Sequence, residues 1–459
     1  MDESPSDADA EVGSILAHPE AQALLADATL TRQAVVACRE RLGRFLGRYL
    51  PLFYRREQRE HAELVVAGLL SGLKRKTCEP VAREAGVHRK PVQSFVGCGR
   101  WDDEAVMAEL RGHVSRELSD PGAVLVVDGS GFPKKGAESC GVKRQWCGRL
   151  GKVENCQVGV FLAYAASGGH APLGRRLYLP QDWAEDERRR EKCHVPADVV
   201  FKEKWQIALD LLDEAGKAGG EAGEAGGEAG GAGGEGPPPP LPHAWVAADD
   251  EFGRVAAFRA GLRGRGERYV LDVPCNTLVR DLEARRPPRK KGGRGRKRAV
   301  PLRRADAWAA RQPAARWRSF TVRGGEKGPL RVEAITTRVR AKDERRRVGR
   351  AEERLVVVRT VEEEPRTTYC LSNAAAGEPL AELLRARAER YRIEQVIEEG
   401  KGEAGLGHYE VRSWVGWHHH MTLALLALWF LVTETCRLGG KNPGGHGAAG
   451  PRAVLAAAV

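Results

Sequence analysis

The chain has 459 residues, and its 74 Lys and Arg outnumber its 62 Asp and Glu, a formal net charge of +12. At roughly 100–200 residues per domain this length allows about two to four domains, and the 42% hydrophobic content supplies enough apolar surface for buried cores, which excludes wholesale disorder. The positive surplus predicts an anionic partner, while the longest strongly apolar run, 423–432, is shorter than the ~20 residues that cross a bilayer.

Two further features predict a cytoplasmic protein without membrane contact. The acidic start, 1–3, does not resemble a signal peptide. The ten cysteines are scattered without a dense framework, so reduced thiols are expected rather than disulfides. Cys140, Cys147 and Cys156 form the closest group, but their spacing does not match the short knuckles of structural zinc sites.

The region 1–115 is predicted to be helical because apolar residues recur at helical spacing, for example at Leu42, Phe45, Leu46 and Tyr49. Within it, 74–95 predicts two short helices around a Gly turn. This pattern is typical of a helix-turn-helix. An ordinary helical bundle with a basic face explains it equally well.

After Pro121 the periodicity changes. The continuous apolar run 123–127 predicts a strand that is buried on both faces and ends at Asp128. Further strands are predicted at 158–164 and 176–179, followed by a helix at 200–214.

The segment 215–241 consists of Gly, Ala and Glu repeats ending in four prolines. Such a composition does not bury a core, so a mobile surface linker is predicted. The linker interrupts one domain, because the pattern resumes with a strand at 244–248 that ends at Asp249, a helix through Phe258 and a strand at 269–273.

Between 275 and 375 a β-rich insertion with a basic loop is predicted. The window 285–304 contains eleven Arg or Lys and no Asp or Glu, and 332–339 and 355–361 have the composition of strands. Helical spacing returns from Pro379, and an apolar helix follows at 421–432.

Asp128 and Asp249 each follow a predicted strand, which indicates a divalent-metal site if the two strands are neighbours, because hard cations prefer oxygen ligands. Either aspartate alone is more typical of a turn or a helix cap. A third carboxylate lies on the helix around 387–401, where one line of the helix carries a charged stripe. The stripe consists of Arg387, Arg390, Glu394, Glu398 and Lys401. A solvated, salt-bridged face would have the same spacing.

These residues resemble the DDE-type insertion-sequence transposases, DDE superfamily endonucleases with a Tyr, Arg, Glu and Lys signature. Arg390, three residues, Glu394, six residues and Lys401 match the last three positions, whereas Arg387 stands where the family has Tyr. The segments 127–136, 149–160 and 408–414 resemble one branch, the insertion sequence seven-hundred-one type. The resemblance covers roughly 40–430.

The resemblance implies a fold and a division of the chain. The fold is an α/β ribonuclease-H-like mixed sheet with helices, interrupted by a β-rich insertion and preceded by an N-terminal helical domain. The chain would divide into a DNA-end-binding region 1–115, a first core segment 116–274 with the linker 215–241, the insertion 275–375, a second core segment 376–433 and a flexible tail 434–459.

The resemblance also implies a site. Asp128, Asp249 and Glu394 would be catalytic and would bind two Mg²⁺ or Mn²⁺ ions, with Asp250 or Glu251 as alternatives to Asp249 and Glu398 as an alternative to Glu394. Four basic residues would bind phosphates: Arg390, Lys401, Lys134 and Lys135. Weaker candidates are the run His418–His420, for DNA-backbone contact or packing, and Trp308 and Trp317, for base stacking or core packing.

The implied function is transposition: binding to the terminal inverted repeats of the element in double-stranded DNA, metal-dependent cleavage, and joining of the ends to target DNA. A homodimer or larger assembly in the DNA complex and a cytoplasmic, nucleoid-associated location follow. Two alternatives stay open: an inactive or domesticated DNA-binding protein, and a ribonuclease-H-like nuclease without strand transfer.

Overall fold

The computed structural model describes residues 32–217, 241–287, 299–323, 330–344, 347–362 and 364–437. Most of the predicted linker 215–241, most of the basic window 285–304 and most of the predicted tail 434–459 lie outside the described residues.

The described chain begins with five helices. They are α1 (Arg32–Leu46), α2 (Arg56–Leu70), α3 (Cys78–Glu84), α4 (Arg89–Cys98) and α5 (Asp103–Leu118). Apolar residues at the predicted spacing, such as Leu42 and Leu69, are buried. The side chain of Asp102 begins α5 by accepting hydrogen bonds from two backbone amides of its first turn.

Six strands form the next section of the chain, within a mixed sheet. They are β1 (Val124–Pro133), β2 (Lys143–Cys147), β3 (Lys152–Ala166), β4 (Gly169–Leu177), β5 (Trp245–Ala248) and β6 (Tyr269–Val273). Strand β1 pairs antiparallel with β3 and parallel with β5, and β5 pairs parallel with β6. Strands β2 and β4 share the other edge of β3.

The structure corrects three strand predictions. Strand β1 does not end at Asp128 but continues to Pro133, because it stays paired with β3 as far as Cys156. Strand β2 was not predicted, and β4 begins at Gly169 rather than at 176. In each case the strand contains Gly or polar residues, so its apolar pattern is weak, and pairing with β3 determines its extent.

The helices between and after these strands cover the sheet. They are α6 (Gln181–Ala184), α7 (Glu187–Lys192), α8 (Lys204–Gly216), α9 (Asp250–Gly253) and α10 (Ala256–Gly264). Helix α8 buries Ile207, Leu211 and Leu212, at the spacing of one helix face.

The region 275–375 continues the same sheet. Its elements are β7 (Leu278–Asp281), β8 (Arg303–Arg304), α11 (Ala305–Ala309), β9 (Arg318–Arg323), β10 (Leu330–Ala341), β11 (Glu353–Thr360) and β12 (Thr367–Ser372). Strand β12 pairs antiparallel with β6, and the order continues β11, β10, β7, β8. Trp308 is 3% exposed in a second apolar cluster, and its indole N–H donates to Asp281 at 2.8 Å. Its predicted packing alternative is therefore the observed one.

Three helices complete the fold: α12 (Leu380–Ala388), α13 (Tyr391–Gly402) and α14 (Trp414–Arg437). Helix α14 is longer than the predicted 421–432, because its first turns contain Trp and His residues that are buried although they are polar. By length and composition α14 resembles a membrane span, but 94% of its most apolar window is buried inside the fold. It is the central core helix.

The histidines of α14 are packing residues. His418, His419 and His420 are each at most 5% exposed, and each bonds a different backbone carbonyl. Burial lowers the pKa of His420 to about 4 and that of His418 to about 3. The pKa of His113, which hydrogen-bonds the Tyr49 hydroxyl at 2.8 Å, is lowered by burial to about 4.

Acid is expected to unfold the protein through these histidines. In the unfolded chain these histidines bind protons below pH ~6.5, whereas in the folded chain His113 and His420 stay neutral down to about pH 4. The stability that they contribute is therefore complete above pH ~6.5 and is lost as the pH falls. His113 and His420 each contribute on the order of 3 kcal/mol to this loss. Urea unfolding between pH 7 and pH 4 measures the slope. His113→Gln should flatten it, whereas His194→Asn, at an exposed position, should leave it unchanged; equal slopes in all three proteins would contradict the assignment.

Gly253, the last residue of α9, lies against the backbone of β6. A Cβ at this position would come within 1.9 Å of the Asp272 carbonyl oxygen. Because this oxygen belongs to the backbone of β6, the clash could be relieved only by moving the strand or the helix. Gly253→Ala is therefore expected to destabilise the fold by about 3 kcal/mol. Gly264→Ala is the control, because a Cβ there meets nothing within 4 Å and should add up to ~1 kcal/mol of helix propensity. Equal unfolding midpoints for the two variants would refute the prediction.

Candidate active site

Two carboxylates lie side by side where β1 and β5 run parallel. The register pairs Val127 with Ala248, so the next residue along each chain is an aspartate, Asp128 or Asp249. Beyond this point β1 continues along β3 alone, which opens one side of its Gly129–Gly131 stretch to a cleft. Neighbouring parallel strands thus bring together two residues that are 121 positions apart in the chain.

The electrostatics of the two aspartates reflect their proximity. Burial raises the pKa of Asp128 to about 7, and the charge of Asp249 contributes to this rise. Burial also raises the pKa of Asp249 to about 6, assisted by the charge of Glu251. Each carboxylate keeps backbone hydrogen bonds: Gly129 N–H donates to Asp128 at 2.7 Å, and Asp249 caps α9. Asp249 therefore caps a helix, as expected of an isolated aspartate, and also lies beside Asp128.

The cleft above the aspartates has a volume of about 770 Å³. Helix α13 and its N-terminal cap also line the cleft, through Arg390, Glu394, Glu398 and Lys401. These are members of the charged stripe predicted from helical spacing, so the stripe faces the cleft. The space and charge of the cleft suit an elongated anion bound together with cations.

Glu394 lies in the cleft but is paired with a cation. Its carboxylate is 2.6 Å from the Arg390 guanidinium, one helical turn earlier, and is 52% exposed. The charge of Glu394 also acts on Asp128. Among the described residues, no three His, Cys, Asp or Glu side chains are close enough to hold a metal ion together. The structure therefore brings Asp128 and Asp249 together, while Glu394 lines the same cleft in a pair with Arg390.

Two of the three alternative carboxylates are paired with cations. Glu251 lines the cleft and pairs with Lys204 at 2.6 Å. Asp250 pairs with Arg254 at 3.1 Å and does not line this cleft. Glu398 lines the cleft on α13.

The four predicted phosphate-binding residues lie in different surroundings. Lys401 donates to the Ser130 hydroxyl at 2.7 Å and lies 4.8 Å from the Phe132 ring centroid. The Lys134 ammonium lies 3.4 Å from the Tyr409 ring centroid, and burial lowers its pKa to about 8. Lys135 is exposed. Arg390 and Lys401 line the cleft, whereas Lys134 and Lys135 do not.

Asp272 is a carboxylate of this region that sequence reasoning missed. It accepts two hydrogen bonds from Arg387, at 2.9 and 3.1 Å, and lies 3.4 Å from Arg390. Arg387 stands at the position where the resembled signature has Tyr. Its positive charge is paired with the Asp272 carboxylate on β6. The sequence does place an Asp inside the predicted strand 269–273. This strand, β6, runs parallel to β5 as β5 does to β1, so Asp272 is a further carboxylate in the same part of the sheet.

The family of the chain follows from a comparison with known families. A family model described as a DDE superfamily endonuclease matches residues 48–223 and 237–329. The chain belongs to this family, as its motifs predicted. The match includes Asp128 and Asp249 but not Glu394.

Part of the chain is also similar in sequence to an individual protein. The chain is 29% identical over 159 residues to a protein from Microchaete diplosiphon named probable transposase for insertion sequence element IS701. The similarity covers 33% of this chain and 42% of the relative, less than half of that protein's length.

Proposed function

We propose that this protein is a transposase that binds the ends of its insertion sequence and catalyses metal-dependent DNA cleavage and strand transfer. One observation carries the proposal: the in-register parallel pairing of β1 and β5 sets Asp128 beside Asp249 at the wall of a large charged cleft. Membership of the DDE superfamily endonucleases supports a nuclease or transposase activity.

We propose a ribonuclease-H-like core. The order β4, β3, β1, β5, β6, with β1, β5 and β6 parallel and β3 antiparallel, supports it. The proposed division of the chain is the end-binding region 1–115, the core 116–274 and 376–433, the insertion 275–375 and the tail 434–459.

Asp128 and Asp249 fit a divalent cation, because each is a hard oxygen ligand and burial beside like charge makes their ionised forms costly without one. We propose Mg²⁺ or Mn²⁺, with Glu394 as the third ligand residue and two ions in the site. Bound ions would activate a water or a DNA 3′-hydroxyl and stabilise the leaving oxygen.

The protein's own residues then have distinct tasks. Arg390 would exchange its Glu394 partner for a phosphate, which frees Glu394 to turn towards the aspartates. A guanidinium binds phosphate as a planar fork, whereas Lys401 acts as a point charge held in position by Ser130. Lys134 and Lys135 would contact the DNA backbone away from the cleft.

The proposed partner is double-stranded DNA, both the terminal inverted repeats and the target. Synapsis of two ends requires a homodimer or larger assembly in the DNA complex. The proposed location is the cytoplasm, in association with the nucleoid.

The test is a cleavage and strand-transfer assay with duplexes that carry the ends of the protein's own element. With Mg²⁺ the wild type should nick at the element ends and form joined products, and without a divalent cation it should bind but not cut. Cleavage without joined products would instead support the nuclease alternative.

The DNA-binding alternative is favoured by one specific observation, the ion pair between Glu394 and Arg390, which engages the third carboxylate with a cation of the protein itself. In that case the wild-type protein would bind element ends in the same assay and cut none of them.

A further inference from the structure

Helices α3 and α4 meet at a tight turn on the surface. Gly86 in the turn has φ +66°, a left-handed conformation that favours glycine. The Val87 amide donates to the Ala82 carbonyl at 2.9 Å and closes the end of α3. The inner sides of the two helices are buried through Val81 and Ala82 on α3, and Val92, Phe95 and Val96 on α4. Two short helices packed around a Gly turn are the helix-turn-helix arrangement.

The outer side of α4 is polar and exposed. At 100° per residue, Arg89, Lys90, Gln93 and Ser94 fall within about 140° of one another, and all four are exposed. Arg89 forms the edge of this polar side, about 20° from the buried Val96. Such side chains match the base edges of the major groove, because Arg and Lys pair with guanine and Gln with adenine.

The surroundings of α4 are positively charged. Three exposed cations belong to the neighbouring chain segments, Lys74, Arg83 and Arg100, and a fourth, Lys90, lies on α4 itself. Within the part of the chain that the structure describes, none of these four forms an ion pair, and Arg89 approaches Glu79 only to 3.8 Å. This charge is complementary to a phosphate backbone.

The helix pair is fixed next to the cleft. Lys76, 7% exposed, precedes α3 and donates to the carbonyls of Leu69 and Glu403. The Lys76 amide donates to His408 at 3.2 Å, and His408 lines the cleft. At the other end, the Ser413 hydroxyl donates to the Gly97 carbonyl at 2.9 Å. A duplex bound by α4 would therefore sit at a constant offset from the two aspartates.

We propose that α4 is a DNA-recognition helix that enters the major groove of duplex DNA, with Arg89, Lys90 and Gln93 at base edges and Lys74, Arg83 and Arg100 at phosphates. The inference deepens the proposed function and rests on it, since it names the element that recognises the DNA end. Base-edge contacts select sequence, while phosphate contacts set position.

The test is a binding selection from duplexes with a randomised central region, carried out with a chelator so that cleavage does not contribute. The wild type should enrich a defined sequence. Gln93→Ala should lose about 5- to 150-fold preference at one base position while retaining overall binding. Arg83→Ala should weaken binding to all duplexes alike and lower the salt slope by about one.

The matched control is Arg188→Ala, which removes the same charge from an exposed position on α7 and should change neither preference nor slope. All substituted residues are exposed, so thermal unfolding should match the wild type. If Arg89→Ala and Gln93→Ala both keep the wild-type preference, α4 does not recognise the DNA and the inference fails, while cleavage by the wild type would leave the proposed function intact. A wild type that binds no duplex would overturn both.

Discussion

Asp128→Asn is expected to abolish DNA cleavage by this protein while leaving DNA binding intact. The substitution preserves shape and the hydrogen bond from Gly129 N–H but removes the charge that would bind a divalent cation. Loss of such a charge in a reaction centre lowers rates by roughly 10²–10³-fold or more. Asp249→Asn and Glu394→Gln should behave alike. Mg²⁺-dependent cleavage of element ends and a gel-shift assay measure the two properties separately.

Three further variants distinguish the proposed carboxylates from their neighbours. Asp250→Asn and Glu398→Gln test the neighbouring carboxylates and should retain cleavage. Asp182→Asn, whose exposed side chain pairs with Lys143 at 3.0 Å, is the matched control. Cleavage that survives Asp128→Asn would refute the site, and loss of cleavage only in Asp250→Asn or Glu398→Gln would move it to those residues. In the metal-free protein, Asp128→Asn should also raise the melting temperature, because it removes repulsion from Asp249.

Glu353→Gln is expected to lower the stability of the fold strongly, because it breaks a buried ion pair. Glu353 begins β11 at 5% exposure and accepts hydrogen bonds from Arg259 at 2.9 Å and from the Tyr269 hydroxyl at 2.6 Å. Arg259 on α10 is 3% exposed. Removing one partner of a buried pair leaves the other charge uncompensated, at a cost of about 3–5 kcal/mol.

Urea unfolding of two further proteins tests this explanation. Glu352→Gln is the adjacent control, because Glu352 is 50% exposed in its pair with Arg340 and such pairs contribute about 0–1 kcal/mol. The double variant Arg259→Met with Glu353→Leu removes both charges and should be more stable than Glu353→Gln alone. A double variant as unstable as the single one would show that packing, and not the unpaired charge, causes the loss.

This ion pair also shows how the 275–375 region joins the core. The composition changes sharply there, which favours a β-rich insertion. In the structure β12 continues the core sheet from β6, and Glu353 joins β11 to α10 across 94 residues. Strand pairing between distant segments leaves no local signal, because any two exposed strand edges are compatible.

Some features of the candidate active site are also recognisable in the sequence, whereas others depend on contacts between distant segments. The two aspartates are recognisable in the sequence because each follows an apolar strand. The predicted end of β1 at Asp128 was wrong, because Gly129, Ser130 and Gly131 do not resemble a strand although β3 keeps them paired. The sequence places Asp272 inside a predicted strand, but its pairing with Arg387 and Arg390 depends on tertiary contacts that no spacing in the sequence indicates.

By itself the sequence determined the family, the apolar strands that precede Asp128 and Asp249, and the charged stripe that includes Arg390, Glu394 and Lys401. These follow from local periodicity and short motifs, which one segment of chain expresses alone. Only the tertiary structure decided that the aspartates adjoin, that Glu394 pairs with Arg390, and that the helix pair α3–α4 is joined to the rim of the cleft. Those relations arise from strand register and from burial against distant residues.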